Sequence, residues 1–116
     1  MNIQRHQQEA VQVMYGKLRG MKKNEDVGMI RKHIVFTGQV QGVGFRWRAR
    51  QAAHLYGCTG WCRNEWDGSV TMEIQGSEEA IDKVIEAIQA GRYVWIQGMD
   101  VTPMYPEPEE RGFRVD

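Results

Sequence analysis

Gly38-Gln39-Val40-Gln41-Gly42-Val43-Gly44-Phe45-Arg46 combines the residue types that hold a phosphoryl group. Glycines let a backbone turn its N–H groups toward one point without Cβ obstruction. A helix that starts where such a run ends adds unpaired donors and a positive dipole end. Arg46 supplies a planar, permanently charged fork whose geometry matches phosphate oxygens. An arginine at a helix start disfavours itself electrostatically, so an anionic partner accounts for it best. Asn64 is the second candidate, a neutral amide in a strand-like stretch where asparagine is depleted. Its amide can bind water through oxygen and an oxyanion through nitrogen.

These residues need elements to position them. His33 to Thr37 reads as a strand from its β-branched content. After the glycine loop, Phe45, Ala49, Ala52, Ala53 and Tyr56 recur at helical spacing, and Gly57 suits the end of that helix. Residues 59–66 read as a second strand, with Asp67-Gly68 as a hairpin turn. Residues 69–74 alternate apolar and polar, the pattern of a half-buried antiparallel partner. Ser77 is placed to cap a second helix, with Glu78 and Glu79 in its first turn and Ile81, Val84, Ile85 and Ile88 as its buried stripe. Residues 94–102 form a fourth strand whose phase shifts near Gln97-Gly98, a sign of a bulge. Pro103, Pro106 and Pro108 then predict an irregular acidic loop before a short closing strand at residues 112–115. The order β-α-β-β-α-β plus a short final strand predicts an α+β, ferredoxin-like split βαβ fold: an antiparallel sheet with two helices on one face. In that fold the second hairpin brings Asn64 beside the glycine loop.

The chain has 116 residues, room for one domain, with 15 basic and 15 acidic residues and a formal net charge of zero. Residues 1–30 are Gln- and Lys-rich with only a sparse apolar stripe, Ile3, Ala10, Met14 and Leu18. They read as a flexible or weakly helical extension ahead of a domain over residues 31–116. No apolar run approaches the roughly 20 residues that span a bilayer, and the amino terminus lacks the apolar stretch of a secretory signal. Cys58 and Cys62 make no metal-ligand set with the three scattered histidines and read as buried thiols. The expected setting is the cytoplasm, with no metal and no cofactor. His33 and His54 decorate element ends, while of Trp47 and Trp66 one is expected to cover the core and Trp66 to rim the pocket beside Asn64.

The glycine run from Gly38 to Arg46 resembles the first signature of the acylphosphatase family. Gly60-Trp61-Cys62-Arg63-Asn64, Gly68-Ser69-Val70 and Gly76 resemble the second, spacing included. The resemblance covers about residues 32–116. It implies metal-independent hydrolysis of acyl phosphates to a carboxylate and inorganic phosphate by a monomer. It places the phosphoryl group on Arg46 and the backbone of Gln41, Gly42, Val43, Gly44 and Phe45, with Asn64 orienting the attacking water. Gly44 stands where animal members of the family usually carry a bulky or aromatic residue and bacterial members often glycine, so substrate preference is where this chain is expected to differ.

Other chemistries fit less well. A phosphate or carbamoyl-phosphate binding module would keep the same cradle without turnover. RNA-recognition domains share the element order, but their central strands carry stacking aromatics that residues 69–74 lack, and zero net charge argues against general nucleic-acid binding. A cysteine phosphatase needs an arginine six residues after its cysteine, and Arg63 lies five after Cys58.

Overall fold

The structure, a computed structural model, describes residues 28–116. Residues 1–27, most of the expected amino-terminal extension, lie outside the described residues. The elements are β1 (Met29–Gln39), α1 (Phe45–Tyr56), β2 (Thr59–Asn64), β3 (Val70–Ser77), α2 (Glu78–Gln89), β4 (Trp95–Met104) and β5 (Phe113–Val115). This is the expected split βαβ order. The sheet runs β4-β1-β3-β2-β5. Its first four strands are antiparallel, whereas β5 joins the outer edge of β2 in parallel, so the sheet is mixed.

Period-two alternation sends Ile34 and Phe36 of β1 to one face, where they pair with Met72 and Val70 of β3. Both helices bury their apolar stripes in the same cluster, α1 through Phe45, Ala49, Ala52 and Ala53 and α2 through Ile81, Val84, Ile85 and Ile88. The small alanines let α1 lie close to the sheet. Ser77 caps α2 by accepting a bond from Ala80 N–H at 3.1 Å. Gly57 ends α1 in the left-handed region at φ 72°, its N–H reaching Ala53 O. A bulge interrupts the β1–β4 register beyond Thr37, leaving Gln97 without an opposite residue. No described helix is long and apolar enough to cross a membrane.

The second face of the sheet departs from the expectation of a solvent-exposed side. Arg31 of β1 is only 1% exposed and Gln75 of β3 only 3%. The segment between β4 and β5 folds across them. Arg31 donates to Glu110 Oε1 at 2.7 Å and to Glu73 Oε1 at 3.0 Å. Gln75 accepts from Glu107 N–H at 2.7 Å and donates to Glu107 O at 2.9 Å. Burial disfavours the Arg31 charge, but Glu110 and Glu73 outweigh it and hold its pKa above the ordinary value. β3 is therefore buried on both faces. Pro103 lies inside β4 rather than in the loop, which an edge strand permits because a missing N–H breaks no ladder bond on its outer side. Trp47 and Trp66 are 65% and 97% exposed, so neither covers the core.

Candidate active site

The loop from Val40 to Gly44 joins β1 to α1 and is anchored at both ends by buried apolar side chains, Val40 and Phe45. Phe45 packs edge-on against Phe36 of β1 with ring centroids 4.9 Å apart. Between the anchors, Gly42 and Gly44 take φ values of 71° and 81°, in the left-handed region. A Cβ at either would meet no atom within 4 Å, so backbone conformation, not space, calls for glycine there. Alternation with left-handed residues turns successive N–H groups toward one side, the geometry of an anion nest.

Gly44 is the N-cap of α1 and provides no side-chain cap, and the first turn of α1 contains no acidic residue. The contrast with α2, capped by Ser77 and carrying Glu78 and Glu79 in its first turn, is sharp. The positive end of α1 is left to the loop and to Arg46, and an anion satisfies both. Arg46 Nη1 donates to the main-chain oxygen of Asp116 at 2.9 Å. Asp116 N–H in turn donates to Cys62 O at 2.9 Å, which carries the guanidinium to the edge of β2. Its other donors have no partner among the described residues.

Asn64 is the last residue of β2, two positions beyond Cys62 and paired with Val70 of β3. Its parity with Cys62 sends the side chain to the helix-bearing face of the sheet. The Oδ1 atom is buried and accepts no hydrogen bond from the described residues. An unbonded buried amide oxygen is costly, and a water molecule is the natural partner. Beyond Asn64 the chain reverses through a turn closed by Gly68 N–H to Glu65 O at 3.2 Å and Glu65 N–H to Ser69 O at 2.9 Å. Asp67 Oδ1 accepts from both the Ser69 hydroxyl, at 2.6 Å, and the Ser69 N–H, at 3.0 Å, which hold its carboxyl below the usual range.

Gln41, Gly42, Val43, Gly44 and Phe45 thus form one continuous loop into α1 with Arg46 in its first turn, and Asn64 ends the strand facing that loop. Residue types alone did not disclose two further contacts. The Gln41 side chain donates to Glu65 O at 2.7 Å and Ser69 O at 2.8 Å, tying loop to hairpin. Asp116 orients Arg46 through its backbone, which has no sequence signature. Trp66 rises from the turn beside Asn64, fully in solvent. Cys58 and Cys62 are free and buried, and desolvation pushes their thiols up to about 11 and about 12, so neither is a nucleophile at neutral pH. Among the described residues no cluster of His, Cys, Asp or Glu could hold a metal ion.

Known proteins share this fold. The solved acylphosphatase of Bacillus subtilis superposes with a TM-score of 0.68 at 28% identity, covering 75% of this chain and 98% of that one. An acylphosphatase structure from Coxiella burnetii gives a TM-score of 0.73 at 25% identity, over 82% of this chain and all of the other. In sequence, the acylphosphatase of Geobacillus kaustophilus is 38% identical over 88 residues, 75% of this chain and 94% of the relative. The family model for acylphosphatase matches residues 32–115, from the first strand through the glycine loop and Asn64 to the closing strand. The chain belongs to the acylphosphatase family.

Proposed function

We propose that this protein hydrolyses acyl phosphates to a carboxylate and inorganic phosphate, using Arg46 and the loop from Gln41 to Phe45 for the phosphoryl group and Asn64 for water. A buried, unbonded Asn64 Oδ1 at the end of the strand beside an uncapped helix start carries this reading. The loop N–H groups and the Arg46 fork hold the phosphoryl oxygens and stabilise the charge they carry in the transition state. Asn64 Oδ1 accepts a hydrogen bond from a water and turns its lone pair toward phosphorus. The water oxygen forms the new P–O bond, while the bond from phosphorus to the acyl oxygen breaks. The carboxylate leaves with that electron pair, and the water proton passes to a phosphoryl oxygen.

A carboxylate is stable as an anion at neutral pH, so its departure requires no proton from the protein. The step then depends on positioning and charge stabilisation, which the loop, Arg46 and Asn64 can supply without a covalent intermediate or a bound metal. The proposed setting is that of a monomer acting on a small substrate in the cytoplasm. Hydrolysis of acetyl and benzoyl phosphate by the purified chain in the presence of EDTA tests the reading. Turnover insensitive to chelation is expected; a chain that binds inorganic phosphate but cleaves neither compound would instead be a binding module.

A further inference from the structure

Gln41 sits at the start of the cradle, yet its side chain points away from the α1 end of the loop and into the β2–β3 turn. Its Nε2 atom reaches two main-chain oxygens, Glu65 O at 2.7 Å and Ser69 O at 2.8 Å. Two acceptors at hydrogen-bond distance fix the amide orientation, because only the NH₂ group carries two donors. Both oxygens already accept bonds that close the turn, from Gly68 N–H and Glu65 N–H respectively. The turn is therefore a small closed ring, with the Gln41 amide plugged into its carbonyl side.

Asn64 is joined directly to Glu65. Its side chain makes no hydrogen bond of its own among the described residues, so the amide stands where its backbone and the packing around its buried oxygen put it. That backbone is held on one side by the ladder to Val70 and on the other by the turn that Gln41 grips. We propose that the Gln41 side chain is a positioning residue that sets the distance between the phosphate cradle and the water-orienting amide of Asn64. It acts through Glu65 and Ser69 and touches neither substrate nor water. This rests on the hydrolytic reading above and assigns that site an internal strut.

Gln41→Met keeps the side-chain length and removes both donors. A displacement of about 1 Å between reacting groups can cost roughly a hundredfold in rate. In the full chain, Gln41→Met is expected to lower kcat for benzoyl phosphate roughly tenfold to a hundredfold. The KM and the inhibition constant of inorganic phosphate should move less than about threefold, because cradle and Arg46 are retained. In an Asn64→Ala background the same substitution should cost nothing further, since residues that act as a unit are not additive. An unchanged kcat, losses that multiply in the double variant, or phosphate inhibition weakened in step with kcat would each overturn the proposal. Gln41→Asn, one methylene short of both oxygens, serves the same comparison if Gln41→Met does not fold. Wild type without turnover would sink the hydrolytic reading instead. The strut is then read from the side-chain amide NMR signal of Asn64, expected to move or broaden in Gln41→Met and contradicting the proposal if unchanged.

Discussion

Arg46 Nη1 and the main-chain oxygen of Asp116 are 2.9 Å apart, so the cation at the head of α1 is steadied by the segment that follows β5. One corner of the guanidinium is committed to protein, and the remaining donors keep a fixed direction. A lysine could keep the charge but could not hold Asp116 and a phosphoryl oxygen in the same plane. Arg46→Lys is expected to fold normally and to lose about 2–3 kcal/mol in kcat/KM, roughly a hundredfold, the scale of charged hydrogen bonds. Steady-state kinetics beside a circular dichroism spectrum checks this.

The connection between β4 and β5 depends on Arg31. Its guanidinium bridges Glu73 of β3 and Glu110 of the β4–β5 connection, and all three side chains are at most 13% exposed. Removing it strands two carboxylates that water reaches poorly. Arg31→Met should cost about 3 kcal/mol of stability, in the range measured when one partner of a buried pair is removed. Urea unfolding of wild type and variant gives the difference, and Glu110→Gln should cost less because Arg31 keeps Glu73.

Glu73 gives the fold an acid limit. Burial pushes its carboxyl up, but bonds from His33 at 2.8 Å and from Arg31 outweigh it and hold it below its ordinary value of 4.5. A depressed folded pKa contributes stability that is present above about 4.5 and is lost as pH falls through the folded value. Wild type is expected to lose thermal stability more steeply than Glu73→Gln between about pH 5 and pH 3. Parallel melting curves across that range would contradict the assignment.

The two thiols offer a simple probe of packing. With Cys58 pushed up to about 11 and Cys62 to about 12 by desolvation, neither presents thiolate near neutrality. Ellman's reagent at about pH 8 should find no reactive thiol in the folded chain and two in denaturant, because the thiolate is the reacting form.

Much of this molecule is legible in its residues because local rules and the fold agree. Ser77 with two following glutamates marks a helix start, Gly57 marks a helix end, and the glycine loop between an apolar strand and an apolar-striped helix marks a cradle. What the residues conceal is long-range and polar. Arg31 lies ahead of the strand read at residues 33–37, and nothing in its neighbourhood discloses that β1 starts at Met29 or that Glu110, 79 residues away, covers it. The alternation of residues 69–74 signals one open face, but whether a later segment crosses that face is not written in period two. Pro103 reads as a loop residue because proline cannot serve a central ladder, and only the edge position of β4 admits it. The grip of Gln41 on two carbonyls is equally silent, since main-chain acceptors carry no side-chain signature.

In the proposed reaction, holding phosphate and turning water fall to different residues. Measuring turnover of benzoyl phosphate and inhibition by inorganic phosphate in Asn64→Ala tests it most directly. The loop, Arg46 and the helix end remain in that variant, so phosphate should inhibit it as in wild type. Turnover should fall by roughly three orders of magnitude, the scale of losing one preorganised polar group. Turnover near the wild-type level, or phosphate inhibition lost together with turnover, would contradict the account.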